Sequence, residues 1–215
     1  PRVILTEGGS MTDIYVYNQL TKDNNGNIKV DQNDNLGITS SNAPVKVGNL
    51  DADFNLGWTN HFTYKGIDLG VVLSARVGGL AYSATQGILD YYGVSETSAT
   101  ARDNGGIPIN NGKVNAQKYY QTIGTGEGGY GRYYLYSATN VRLQELSLNY
   151  TLPKRWFKNV ANVTLGVVGR NLWNIYDKVP LIDPESSFNI DNGQGFESYG
   201  LPASRSVGFN LNVKF

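Results

Sequence analysis

Arg205-Ser206-Val207-Gly208-Phe209-Asn210-Leu211-Asn212-Val213-Lys214-Phe215 is the stretch on which the fold turns. Val207, Phe209, Leu211, Val213 and Phe215 are apolar, and every residue between them is polar or small. Side chains alternate across an extended strand, so one face is greasy and the other wet. A soluble sheet would bury the greasy face against a second sheet. The sharper reading is a strand of a transmembrane β-barrel, apolar toward lipid and polar toward the lumen, ending on an aromatic at the membrane–water interface. One strand does not decide between them.

Two more strands upstream repeat the pattern. Phe54, Leu56, Trp58, Phe62 and Tyr64 share one side, with Asn55, Gly57, Thr59, His61 and Thr63 on the other and Asn60 as the one polar interruption. Lys65-Gly66 reverses the chain. Ile67, Leu69, Val71, Leu73, Ala75 and Val77 then continue the apolar side, against Asp68, Gly70, Val72, Ser74 and Arg76. Strands of about ten residues suit a tilted membrane crossing, whereas soluble strands run to about five or six.

Ala161, Val163, Leu165 and Val167 make another alternating run, with Trp173 and Tyr176 placed as a girdle would be. Between Val141 and Leu152 the alternation breaks. Leu146, Leu148, Tyr150 and Leu152 share a face, but Val141 and Leu143 fall on the other. Either a bulge near Gln144-Glu145 resets the register, or the upper part leaves the membrane. Met11 to Leu20 is a weaker strand, followed by the turn Asp23-Asn24-Asn25-Gly26-Asn27 and a polar stretch to residue 50.

Loop length adds an independent argument. From the carboxyl end the connections run long (177 to 204), short (153 to 159), long (78 to 138), short (65 to 66) and long (21 to 50). Such alternation marks an up-and-down barrel with short inner turns and long outer loops. The expected fold is therefore all-β: five or six antiparallel strands of a large barrel with long extracellular loops. Five or six strands do not close a barrel, and lipid leaves an open edge unsatisfied. The rest is expected from sequence beyond this stretch or from other copies of the chain, and the amino terminus, Pro1-Arg2-Val3-Ile4-Leu5, reads as that of a piece of a longer polypeptide.

Composition narrows the function classes. Eighteen basic and eighteen acidic residues cancel, leaving no electrostatic footprint for nucleic acid. Cysteine is absent, which removes disulfides and thiolate chemistry. His61 is the only histidine and reads as a satisfied polar-face residue, and no Ser-His-Asp set or phosphate-binding glycine loop is present. Neither catalysis nor a cofactor is expected. Asp31-Gln32-Asn33-Asp34-Asn35 resembles a calcium loop, but Leu36 and Asn42 stand where Gly and Glu are needed. Asp183, Glu185, Asp191 and Glu197 are candidate calcium ligands, with solvated loop acids the favoured reading; Lys154, Arg155 and Lys158 read as a solvated face, and Gly124 to Gly129 as a flexible loop.

The region from 78 to 138 reads as a long irregular loop rich in tyrosine. Tyr91, Tyr92, Tyr119, Tyr120 and Tyr130 offer flat faces to a sugar ring or a protein partner, with Arg102, Asp103 and Arg132 adding hydrogen bonds. The competing reading is that these rings only pack loop against loop.

The residues also resemble a family. Gly48 to Phe54, Asn60 to Gly66, Ser137-Ala138-Thr139-Asn140-Val141-Arg142-Leu143-Gln144-Glu145-Leu146 through Pro153, Gly169-Arg170-Asn171-Leu172-Trp173 and Leu201 to Phe215 carry the resemblance. Their order and spacing are similar to the carboxyl-terminal part of SusC/RagA-type TonB-dependent outer-membrane transporters of Bacteroidetes. The resemblance implies a barrel of about 22 strands with an amino-terminal plug upstream. It implies import of oligosaccharides or peptides, a SusD-like surface lipoprotein over the mouth, and energy from TonB. It also makes residues 1 to 215 the carboxyl-terminal part of the barrel domain, with Val207, Phe209, Leu211, Val213 and Phe215 on its terminal assembly strand. A soluble extracellular β-sandwich that binds glycans or acts as an adhesin is the alternative.

Overall fold

The computed structural model describes residues 1–124, 131–180, 183–187 and 194–215. In chain order the strands are β1 (Arg2–Val3), β2 (Asp13–Leu20), β3 (Ile38–Asn49), β4 (Phe54–Tyr64), β5 (Ile67–Val77) and β6 (Leu80–Ser83). Helices α1 (Ala84–Tyr91) and α2 (Glu96–Asp103) follow, then β7 (Ile107–Ile109), β8 (Gly112–Val114) and α3 (Ala116–Ile123). The chain continues through β9 (Leu135–Ser137), β10 (Asn140–Thr151), β11 (Asn162–Asp177), β12 (Phe196–Glu197) and β13 (Ser206–Lys214). Contacts group these into two units. A sheet unit holds Ala52–Gly78, Ala138–Lys178 and Pro202–Phe215; a loop unit holds Pro1–Asp51, Gly79–Ser137 and Val179–Leu201.

The sheet unit is one antiparallel sheet in the order β13-β11-β10-β5-β4. Its registers line the apolar residues into rows across the strands. Tyr64, Ile67, Tyr150, Leu165 and Leu211 form one row, and Phe62, Leu69, Leu148, Val167 and Phe209 the next. Further along, Trp58, Leu73, Leu143 and Trp173 align. These side chains stand open: Phe62 is 54% exposed, Leu148 51%, Leu211 65% and Phe209 82%. Aromatic residues sit toward both ends of the band, Tyr64 and Tyr150 by the short turns and Phe54, Trp173 and Tyr176 at the far end.

The break at Val141 and Leu143 is resolved as a bulge. Leu143 pairs with Leu73 and Glu145 with Val72, so Gln144 is the extra residue, and its Nε2 donates to Ser74 Oγ at 3.0 Å. One inserted residue returns Val141 and Leu143 to the apolar face. Strand β11 answers with Asn171 in the left-handed region, φ 51°, where its own register shifts. It also runs on to Asp177, so Trp173 and Tyr176 lie within the strand rather than after it.

The opposite face is a hydrogen-bonded polar surface. Thr63, Asp68, Asn149, Gly166 and Asn210 form one row. Thr63 Oγ1 donates to Asp68 Oδ2 at 2.8 Å, and Asn210 Nδ2 reaches over Gly166 to Asn149 Oδ1 at 3.2 Å. A Cβ on Gly166 would meet Asn149 Oδ1 at 2.0 Å, so only glycine leaves room for that amide pair. Two polar rows further along, Arg170 Nε donates to Glu145 Oε2 at 2.8 Å. His61 lies on this face too, 3.9 Å from Asp68.

The alternation of long and short connections holds across the five strands. Lys65 (φ 47°) and Gly66 (φ 86°) make the tight β4–β5 reversal, both residues at positive φ. A short turn joins β10 to β11, while residues 78–139 and 178–205 leave and rejoin at the other end. Two expectations change here. Strand β2 belongs to a separate three-stranded sheet, β1-β2-β3, and the stretch expected to be polar loop contains the twelve-residue β3. The 21 to 50 segment is therefore no barrel-strand connection. Ile14, Val16 and Leu20 on β2 are buried, so their apolar pattern serves a small protein core and not lipid.

Residues 78 to 138 are also more ordered than an irregular loop. Helices α1, α2 and α3 each begin at a side-chain cap: Ser83 Oγ accepts from Gln86 N, Ser95 Oγ from Ser98 N, and Asn115 Oδ1 from Lys118 N. Tyr82, Tyr134, Ile109, Val114 and Ile123 form a core with Leu20 and Leu36. The polar stretch after β2 is a tandem turn. Asp23 accepts from the amides of Asn25 and Asn27, and eight residues on Asp31 accepts from those of Asn33 and Asn35. Each aspartate is wrapped by its own turn, which is what Asx turns do without a metal.

Candidate functional site

Two buried carboxylates organise the loop unit. Asp90, on the last turn of α1, is 4% exposed. Its Oδ1 accepts from Gln86 Nε2 (2.8 Å), Ser95 Oγ (2.5 Å) and Thr97 Oγ1 (2.8 Å). That hub fastens the start of α2 to the end of α1. It is needed because α2, Glu-Thr-Ser-Ala-Thr-Ala-Arg-Asp, buries only Ser98 and Ala101. Glu197 is the second, 3% exposed and therefore not the solvated loop acid expected. It accepts from Ser83 Oγ (2.9 Å), Thr85 Oγ1 (2.5 Å) and the Gly200 amide (3.0 Å). A carboxylate beside the first turn of α1 also meets the positive end of the helix dipole. Asp183 is likewise buried, its Oδ1 accepting from the Glu185 amide at 3.0 Å. Asp191 and residues 125–130 lie outside the described residues.

Between the three helices lies a cleft of ≈ 500 Å³. Tyr91, Tyr92 and Gly93 line it from the end of α1, Ser98 and Arg102 from α2, and Gln117, Tyr120 and Gln121 from α3. Tyr91 and Tyr92 meet edge to face at 5.1 Å, which leaves Tyr92 70% exposed with its ring presented to solvent. Arg102 Nη1 donates to the Gly93 carbonyl at 2.5 Å, so one arm holds the helix pair. A shallower hollow of ≈ 820 Å³ lies on the other side of α2, floored by Ala101, Ile107, Pro108 and Pro180 and sharing Tyr120.

The expected contact residues divide. Tyr91, Tyr92, Arg102 and Tyr120 come together in the cleft. Tyr119 packs against the core, edge to face with Tyr120 at 5.2 Å. Burial raises its hydroxyl pKa to about 12, with the neighbouring tyrosines and Asp90 adding to the shift. Asp103 is exposed at the end of α2, and Arg132 donates toward Gln19 Oε1 at 3.4 Å, away from the cleft. Tyr130 lies outside the described residues. Tyr134 and Tyr136 are core residues, and burial, reinforced by the Asp90 charge, pushes both hydroxyls well above the usual tyrosine range. Gln117, Gln121 and Gly93 went unnoticed in the sequence; the i, i+4 spacing of the two glutamines on α3 was the available signal.

Aromatic faces, glutamine amides and a partly engaged guanidinium suit non-covalent capture of a polar ligand. Asp90 is the one carboxylate lining the cleft among the described residues, and it already accepts three hydrogen bonds.

No family model matches the chain. Two TonB-dependent receptors of Formosa agariphila match it in sequence. One is 28% identical over 202 residues, 90% of this chain and 19% of the receptor; the other is 25% identical over 197 residues, 88% and 20% respectively. The chain thus spans about a fifth of the length of these relatives. Among solved structures, the RagAB peptide importer in its closed-closed state superposes with TM-score 0.58 over 94% of this chain and 22% of that one, at 17% identity. A RagAB peptide transporter structure gives 0.59 over the same shares at 16% identity. At that identity the likeness is one of fold, and it covers both the sheet and the loop units.

Proposed function

We propose that this chain, similar in sequence and fold to the carboxyl-terminal part of SusC/RagA-type TonB-dependent transporters, forms five adjacent wall strands of an outer-membrane import barrel. One observation carries the reading. Five long strands present an apolar face, interrupted at Asn60, with Phe209 82% and Leu148 51% exposed, backed by a hydrogen-bonded polar face. Water would not tolerate that face and lipid requires it. A soluble sandwich would have to cover the same rows. In this reading the polar face lines the lumen, a plug and the remaining strands lie upstream, and TonB supplies energy from the periplasm. A SusD-like surface lipoprotein is the partner, and the cargo is an oligosaccharide or a peptide.

Within that reading the α1–α3 cleft is a contact for cargo or for the lipoprotein, through the Tyr92 ring and the free arm of Arg102. The experiment uses the full-length protein. It should fractionate with outer membranes, and uptake should vanish when TonB is deleted. Tyr92→Ala with Arg102→Gln should lower uptake at least about fivefold (stacking alone contributes about 1 kcal/mol) without changing the amount of barrel in the membrane. Recovery of the protein in the aqueous fraction would overturn the assignment. Unchanged uptake by the double variant would remove the cleft from it.

A further inference from the structure

The end of the sheet that carries the short turns has a charge pattern unlike the rest of the chain. Gly66 O accepts from Thr151 N at 2.7 Å, joining the β4–β5 turn to the strand that runs into the β10–β11 turn. Asn162, where that turn ends, pairs with Lys214 on β13. The edge is therefore continuous across all five strands. It carries Lys65, Lys154, Arg155, Lys158 and Lys214, and residues 64–67, 151–163 and 212–215 include no Asp or Glu. All five cations are exposed, and none pairs with a carboxylate among the described residues.

The chain as a whole is neutral, so five unpaired cations in one line is a local excess. They lie directly beside the apolar band. Trp156, in the same turn as three of them, is 63% exposed, and the Tyr64 ring carries Lys65 Nζ 5.1 Å above its centre. Cations alone would describe a solvated turn. Cations interleaved with exposed aromatic rings at the boundary of a lipid-facing surface describe the depth at which phosphates lie.

We infer that this edge is a phosphate clamp for anionic phospholipid of the inner leaflet, with Lys154, Arg155 and Lys158 holding the headgroup phosphodiester and Trp156 seated at the glycerol level. The inference rests on the membrane reading above, and short turns on the periplasmic side place it in the inner leaflet. Phosphatidylglycerol, with a net charge, is preferred over phosphatidylcholine, whose phosphate is offset by its own cation.

The test places the full-length transporter in nanodiscs of phosphatidylcholine doped with phosphatidylglycerol and counts retained lipids by native mass spectrometry. The wild-type protein should retain phosphatidylglycerol in excess of its share in the disc. The triple variant Lys154→Gln, Arg155→Gln, Lys158→Gln should lose that excess, at about fivefold in affinity per cation and roughly a hundredfold in all. Lys113→Gln, on the loop unit, should leave it intact. Raising ionic strength on the wild-type protein gives a second readout that needs no variant, and the excess should fall steadily. Equal retention of both lipids, an excess indifferent to salt, or its displacement by inorganic phosphate at the concentration of the lipid would each overturn the clamp. A protein that never enters the disc would overturn the membrane reading as well, so the two failures are told apart.

Discussion

Single residues in the loop unit act by closing distances that the chain leaves open. Glu197 joins a late loop to the start of α1, 114 residues away in sequence. Glu197→Ala strips the acceptor from Ser83, Thr85 and Gly200 and should cost about 2–3 kcal/mol. Hydrogen exchange at the Tyr199 and Gly200 amides should rise first, because those two donors rest on Thr85 Oγ1 and Glu197 Oε1. Asp13 makes a pH-dependent link of the same kind between β2 and β3. A hydrogen bond from Lys46 Nζ at 2.6 Å, helped by the Ser10 amide and the Lys46 charge, holds its carboxyl below the usual aspartate value against an opposing effect of burial. A depressed folded pKa contributes stability above the unfolded value, roughly pH 4, and loses it as pH falls through the folded one. Protection of the β2–β3 amides should therefore weaken below about pH 4, and Asp13→Asn should flatten that acid limb.

At the scale of the element, the Gln144 bulge carries the most consequence. Without it, every β10 residue on one side of position 144 would face the wrong solvent. Deleting Gln144 should turn Val141 and Leu143 toward the polar face and Arg142 toward the apolar one. The full-length deletion should assemble poorly, read as a fall in heat-modifiable folded barrel on gels, whereas Gln144→Ala should assemble normally because the inserted backbone remains. Normal assembly of the deletion would show that the upper part of β10 has no fixed facing. Gly166 shows the same economy on β11, since its missing side chain is the space through which Asn210 meets Asn149.

For the whole molecule the decisive property is what its apolar face touches. Phe209→Arg places a charge inside the band, one row in from Tyr64 and Tyr150, and should destabilise the full-length barrel in lipid vesicles by about 2 kcal/mol, measured by denaturant unfolding. Asn210→Arg, one residue away on the polar face, should cost far less. Equal costs at the two positions would mean the faces are not in different solvents. The loop unit adds a second whole-molecule feature: its three segments come from far apart in the chain yet share one core around Tyr134 and Ile123.

Alternation was enough to find the five long strands of the sheet and their short turns, because each strand has one apolar and one polar face and period two records that residue by residue. The same periodicity showed that Val141 and Leu143 were out of step, but pairing with Leu73 and Val72 was needed to identify Gln144 as the extra residue. The sequence alone also misled at β2, whose apolar residues look like those of a wall strand and instead enter a protein core. Helices α1 to α3 were missed although Ser83, Ser95 and Asn115 marked their starts, since eight residues give too few turns for a clear periodic signal. The cleft, the Asp90 hub and the Glu197 latch depend on residues that meet only after the chain has folded back, and contacts of that range leave no local trace. Solvent-facing pattern is written along the chain; the joining of distant segments is decided by packing in three dimensions.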